Sequence, residues 1–405
     1  MQVILPIAEY LCRHFGECGG CQAQDVPYPQ QLLVKEQLLR GLLAPFWAGA
    51  VEVTPSPQIW HYRNKVDPSF APKRYDAAPP PGFVRETVLG FKRSGRWFWP
   101  MDIETCLIGP EGLDRLLTAV RAWHRRLGVR AYDTKLHEGF LRTLLVREGK
   151  RTGERMVVLI TTRGALDTEA FAETAQGAFP AASLQRGIFE GRAEVTAADE
   201  LEVIQGTSYI REQLHIPDAG ATRILQFQIS PFSFFQTNTL ATEHLYGHIR
   251  AWVRQVRPRA LYDLYGGAGG IAFACSDLVE RMWSVESVAS ATADGLVNAR
   301  LNDIENVSFH TEKVESYLRE CIEGNTWQPE AAVILDPSRA GLHPKALRRL
   351  IEVLPEYMLY VSCNPKILAQ ELSLLLDAYE ITQAQGFDLF PHTRHVELVV
   401  GLRRR

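Results

Sequence analysis

Two rhythms of apolar and polar residues divide the chain. From about residue 245, short apolar runs recur: "ALYDLY", "RMWSVES", "NVSFHT", "AAVILDPS", "YMLYVSC" and "HVELVVGLR". Helical stretches such as "ASATADGLVNARL" and "PKALRRLIEVL" lie between most of them. Apolar strands alternating with helices predict an α/β fold with a doubly wound, mostly parallel sheet. The N-terminal half reads as α+β. There, alternating runs ("TVLGFKRSGRWFW", "RTLLVREG", "ERMVVLITTR") mix with helical ones ("YPQQLLVKEQLLRGLL", "LDRLLTAVRAWHRRL"). Proline-rich "DAAPPPGF" and turn-rich "HIPDAGATR" read as punctuation.

Composition adds limits. At 405 residues the chain has room for two or three domains, and 46% hydrophobic with 22% charged residues excludes a disordered or fibrous protein. No apolar stretch reaches the roughly 18 residues that span a bilayer. The start, "MQVILPIAEYLCRHF", lacks the basic opening and long apolar core of a leader, so a cytoplasmic, reducing setting is expected. Clustered cysteines there point to metal ligation or catalysis rather than disulfides. The net charge of −3 conceals a bias. Eleven lysines and arginines face four acids between Arg115 and Arg155, and eight face three between His61 and Trp97. A basic face on a near-neutral whole suits a phosphate-backbone binder.

In a doubly wound sheet, ligands gather at the carboxyl ends of the strands. Asp263, Glu286, Asp336 and Cys363 all fall at or just beyond expected strand ends. "DLYGGAGGIA" (Asp263 to Ala272) is a glycine-rich turn, with Gly267 and Gly270 placed to let a ligand approach the backbone. Glu286 ends the next strand, where a carboxylate accepts both hydroxyls of a ribose. Together they predict an adenosine cofactor, either S-adenosylmethionine or a dinucleotide. Glu397 interrupts the apolar strand "VELVV", and a partly buried carboxylate there would have a raised pKa and suit proton transfer. "ISPFSFFQTN" sets Gln236 and Asn238 beside three phenylalanines. Cys12, Cys18 and Cys21 are spaced C-x5-C-x2-C, and with the distant Cys106 they could ligate zinc or an iron–sulfur cluster.

Taken together, "CRHFGECGGCQAQ", "YRNKVDPSF", "LGFKRSGRWFWPMDIETC", "SFFQTN", "DLYGGAGG", "ILDPSRAGL", "YVSCNPKILAQEL" and "FPHTRHVEL" resemble the S-adenosylmethionine-dependent RNA uracil-5-methyltransferases, and in the same order. The resemblance runs from residue 12 to the C-terminus. It implies a Rossmann-like class I methyltransferase domain with a seven-stranded sheet, over residues 231–405. It also implies an iron–sulfur region over 1–110 and a central α+β RNA-binding domain over 111–230. Cys363 then matches the nucleophile and Glu397 the proton-abstracting base. Gln236, Tyr265, Gly267, Gly270, Glu286 and Asp336 fall to the cofactor side. Cys12, Cys18, Cys21 and Cys106 match the ligands of a 4Fe–4S cluster.

Three positions depart from the family pattern: Gly266 where cysteine is frequent, Ser338 where a second proline is usual, and Ile367 where threonine is common. With the cysteine cluster starting at residue 12, the small RNA-binding barrel of some relatives is not expected. The expected substrate is therefore ribosomal RNA, 23S in particular, with transfer RNA the alternative. No membrane and no obligate protein partner are expected. The competing readings are a cytosine or small-molecule methyltransferase and a non-catalytic iron–sulfur RNA-binding protein.

Overall fold

The computed structural model describes residues 11–77, 79–80 and 82–405. Most of the stretch read as a poor leader, and part of the proline-rich loop, lie outside the described residues. The chain folds as two units. One comprises Met1–Pro27, Ile59–Glu212 and Ile229–Phe232; the other comprises Tyr28–Gln58, Gln213–Gln228 and Ser233–Arg405. These borders differ from the three consecutive segments expected. Helix Tyr28–Leu43 joins the C-terminal unit because its Leu39 and Leu43 are buried in that unit's core. The cysteine segment folds with residues of the 111–230 region.

The first unit is built on an antiparallel sheet of Arg96–Asp102, Thr87–Arg93, Ser69–Pro72, Leu141–Glu148, Arg155–Thr161, Ser183–Ile188 and Glu200–Gly206, in that order. One neighbouring pair, Arg155–Thr161 with Ser183–Ile188, is parallel. Helices Leu113–Arg126 and Thr168–Ala178 bury Leu116, Val120 and Phe171 against the sheet residues Leu144, Val157 and Leu159. Helix Thr168–Ala178 starts at Asp167, whose side chain accepts a bond from the Ala170 N–H at 3.0 Å.

The second unit carries the predicted doubly wound sheet. Its order is Val53–Thr54, Tyr379–Phe387, Glu397–Arg404, Tyr357–Ser362, Ala331–Leu335, Ala260–Leu264, Arg281–Glu286 and Val307–Thr311. Seven strands are of ordinary length, and the two-residue Val53–Thr54 adds a parallel edge. Glu397–Arg404 runs antiparallel to both neighbours, and the remaining pairs are parallel. Leu264, Val333, Leu335, Met358, Tyr360, Leu398 and Val400 form the heart of the core. Strand Ala331–Leu335 is buried at every position, which is why its sequence is apolar without alternation.

The order of the strands reverses at Ala260–Leu264, whose neighbours are Arg281–Glu286 on one side and Ala331–Leu335 on the other. Chain connections leave on opposite faces there and open a crevice at the carboxyl ends. "HIPDAGATR" is not plain punctuation. It completes a hairpin, Ile210–Asp218 with Ala221–Ile229, whose turn places Ala219 (φ 47°) and Gly220 (φ 89°) in the left-handed region. Among the described residues no helix is long and apolar enough to cross a membrane.

Candidate active site

The crevice collects most of the residues singled out from the sequence. The turn after Leu264 begins with Tyr265 in the left-handed region, at φ 68°. Glu286 ends the adjacent strand and accepts bonds from the Gly267 N–H at 3.2 Å and the Val288 N–H at 2.8 Å. The glycine turn and the carboxylate are thus locked to each other. Gly270 opens the following helix, and a Cβ there would lie 2.6 Å from the Tyr246 hydroxyl. Gly266 is tighter still: a Cβ would lie 2.2 Å from Ser284 Oγ and 2.8 Å from Asp263 Oδ2. This cradle fits an adenosine cofactor, with backbone that can be approached closely and one carboxylate at its rim.

The sequence marks Asp263 only as a strand-end acid, and its burial gives it a larger part. It is fully buried, and its Oδ2 accepts the Ala272 N–H at 3.2 Å. Burial, then the charge of Asp336, pushes its pKa up to about 7. Asp336 lies just past strand Ala331–Leu335 and accepts a bond from Gln236 Nε2 at 3.4 Å. Burial pushes it, too, to about 7. The phenylalanines beside Gln236 divide: Phe235 packs on Phe227 with ring centroids 5.3 Å apart, while Phe234 is 60% exposed.

Glu397 opens one strand, and Cys363 directly follows the end of its antiparallel neighbour, Tyr357–Ser362. Ser362 pairs with Leu398, so Cys363 and Glu397 leave the ladder at the same end. Cys363 occupies a turn capped by helix Pro365–Leu375. Its thiol is pushed up to about 11, by burial first and then by Glu397 and Asp336, with Arg339 opposing. Glu397 is only 4% exposed; burial and then Asp336 raise it to about 8, again against Arg339. Arg339 was not singled out as a site residue, although "DPSR" places a cation three positions after Asp336. Its carbonyl accepts a bond from Asn364 Nδ2 at 3.0 Å, which ties its loop to the turn that holds Cys363. The arrangement supplies a thiol, a carboxyl near neutrality and one cation that favours the ionised form of both. It can add a nucleophile to an electrophilic carbon and move a proton nearby.

In the other unit, Cys12, Cys18, Cys21 and Cys106 line one cavity of about 630 Å³. None is in a disulfide. Cys18 Sγ accepts the Gly20 N–H at 3.4 Å. Burial, opposed by nearby donors and reinforced by the neighbouring thiols, pushes Cys21 up to about 12 and Cys106 up to about 11. A set of four thiols around one space is the donor chemistry of an iron–sulfur cluster or zinc. Among the described residues, no three His, Cys, Asp or Glu side chains stand close enough together to hold a single metal ion.

The profile of the tRNA (uracil-5-)-methyltransferases matches residues 192–405. A tRNA (uracil(54)-C(5))-methyltransferase of Pyrococcus furiosus is 32% identical over 394 residues, covering 97% of this chain and 85% of its own. A Caldanaerobacter subterraneus protein named as an uncharacterized RNA methyltransferase is 32% identical over 396 residues, covering 96% and 83%. Among solved structures, the tRNA (uracil-54, C5)-methyltransferase of Pyrococcus abyssi, in complex with S-adenosyl-L-homocysteine, matches with a TM-score of 0.73 at 27% identity. That match covers 95% of this chain and 85% of the other.

Proposed function

The chain belongs to the tRNA (uracil-5-)-methyltransferase family, and on that premise we propose that it forms 5-methyluridine in transfer RNA, with Cys363 as nucleophile and Glu397 as base. It is an S-adenosylmethionine-dependent RNA (uracil-5-)-methyltransferase of class I fold. The observation that carries the assignment of roles is the shared ladder end of Cys363 and Glu397, close enough that Glu397 helps to raise the thiol.

Carbon 5 of uracil is a weak nucleophile. The Cys363 thiolate adds to carbon 6, and the displaced electron pair makes an enolate with density at carbon 5. S-adenosylmethionine supplies, when bound, the electrophilic methyl group that carbon 5 takes. The Glu397 carboxylate then removes the hydrogen from carbon 5. The freed pair reforms the 5,6 double bond as the carbon–sulfur bond breaks, returning the thiolate. Arg339 favours both the thiolate and the carboxylate. On the cofactor side, Glu286 would hold the ribose, Gly267 and Gly270 give close approach, and Gln236, Tyr265 and Asp336 line the remainder. The target base has to leave its stack to meet Cys363, which favours a loop or a flipped nucleotide.

The sequence reading favours ribosomal RNA. Two relatives carry a named substrate, and it is transfer RNA in both, so transfer RNA is proposed and ribosomal RNA becomes the second arm of the test. Cys12, Cys18, Cys21 and Cys106 are proposed to hold a 4Fe–4S cluster. Four thiols lining one cavity, with the C-x5-C-x2-C spacing and distant Cys106 that resemble the family's cluster segment, support this reading. Methyl transfer moves no electron through such a centre, so its contribution is to cross-link the segment. Serine at any of the four should release iron and the visible absorbance.

The test of function maps 5-methyluridine by mass spectrometry in transfer and ribosomal RNA from cells with and without the gene. Loss at a transfer RNA uridine supports the proposal, and loss in ribosomal RNA alone redirects the substrate. Retention of every mark, together with no transfer by the purified protein to uridine RNA, overturns the reaction.

A further inference from the structure

The two basic segments of the N-terminal half meet at one place. A groove of about 120 Å³ in the first unit takes Arg74, Arg85 and Lys92 from one segment and Lys135 and Arg142 from the other. Many bases of these segments are neutralised elsewhere: Arg121 and Arg125 on Asp102, Lys150 and Arg155 on Glu148, Arg93 on Glu17. Within the groove, Lys92 is paired with Glu194 at 2.8 Å. Arg142 is buried between the rings of Tyr132 and Phe189, 4.2 and 4.6 Å from their centroids, and donates to the carbonyls of Phe189 and Ala193. It shapes the groove rather than serving it.

Arg74, Arg85 and Lys135 remain. No carboxylate among the described residues pairs with any of the three side chains. Glu86, next to Arg85, pairs instead with Lys73 at 3.1 Å, and Asp133, two residues before Lys135, uses its Oδ1 to accept the backbone N–H of Lys135 at 2.8 Å. Phe98, 46% exposed, presents a ring on the same groove. Uncompensated cations flanking an exposed aromatic ring form the combination that holds a phosphate backbone while a base stacks.

We propose that this groove binds the RNA substrate outside the reaction centre, with Arg74, Arg85 and Lys135 on phosphates and Phe98 under an unstacked base. The proposal rests on the RNA substrate of the preceding section. Such contacts position the RNA and carry little sequence information, so their loss should weaken all RNAs alike.

The experiment measures binding of an unmodified transfer RNA transcript, and of an unrelated RNA of equal length, across a salt series. A triple variant, Arg74→Gln, Arg85→Gln and Lys135→Gln, should lower the slope of log affinity against log salt by about 2, at roughly 0.7 per lost phosphate contact. Affinity for S-adenosylhomocysteine should not change. Phe98→Ala should weaken binding about tenfold with the slope unchanged. In the wild type, bound RNA should protect Lys135 from acetylation, a reading that needs no variant. An unchanged slope, or an unprotected Lys135, overturns the groove. A wild type that binds in this way yet transfers no methyl overturns the proposed reaction and leaves the groove standing; a wild type that binds no RNA overturns both.

Discussion

Cys363 and Glu397 stand one step beyond the Ser362–Leu398 pair of a single antiparallel ladder. Their relation is therefore set by the register of the two strands, with Cys363 on the first residue of the turn that follows. A one-residue slip would turn one of them to the opposite face. The strands that carry them are buried at nearly every position, which is what holds the register.

The first prediction concerns the pH dependence of the rate. Glu397 has to be a carboxylate to take a proton, and it is raised to about 8. At pH 7 about a tenth of it is ionised. Activity should climb as pH rises through about 8. Asp336 is one cause of the raised value, so Asp336→Asn should move this limb to lower pH. Arg339→Ala should move it higher. Single-turnover rates between pH 6 and 9.5 (about the accessible range) check this; a flat profile in the wild type contradicts it.

The same carboxylates set a pH dependence of stability. Asp263 and Asp336 are raised to about 7 and Glu397 to about 8. The folded state therefore holds these protons more tightly than the unfolded chain. Their stabilising contribution is fully present below the unfolded values near 4 and is lost as pH rises through 7 to 8. Without cofactor, Asp336→Asn should melt above wild type at pH 8, and the gap should close near pH 4. Calorimetry at the two pH values decides it.

A third prediction follows from a buried pair. Lys35 Nζ lies 2.7 Å from Asp388 Oδ1, with the two side chains 4% and 0% exposed. Lys35 also donates to the Phe390 carbonyl at 3.2 Å, which fixes the loop leading to Glu397. Lys35→Met strands the Asp388 charge and should destabilise by about 3–5 kcal/mol. The double variant Lys35→Met with Asp388→Leu should recover part of that loss in denaturant unfolding.

Gly266 supplies a fourth. The family pattern often has cysteine there, yet a Cβ would overlap Ser284 Oγ. Gly266→Cys should destabilise by about 1–3 kcal/mol and weaken cofactor binding. Adding Ser284→Ala should relieve part of it, so the two changes should be non-additive in a double-mutant cycle.

Much of the second unit was legible because its strands are continuous apolar runs ending on a polar residue. Asp263, Glu286, Asp336 and Cys363 sit at such ends, and the crevice follows from the order of connections. Strand Tyr379–Phe387 was not legible: Glu380, Thr382, Gln383 and Gln385 give it neither a continuous apolar run nor a clean alternation. Nor was the pairing of Lys35 with Asp388, which lie 353 residues apart. Local pattern holds no record of which core receives Leu39 and Leu43, so the helix that bears Lys35 was placed by sequence order in the wrong unit. The two basic segments were visible as charge, but which bases are free depends on the carboxylates that fold beside them.

The central claim is covalent catalysis by Cys363 with proton removal by Glu397, and trapping tests it most directly. Glu397→Gln, incubated with S-adenosylmethionine and a transfer RNA transcript, should accumulate a protein–RNA adduct that survives denaturing electrophoresis and carries the methyl group. Adding Cys363→Ala should abolish the adduct. Wild-type turnover by Glu397→Gln, or an adduct that persists without Cys363, would contradict the account.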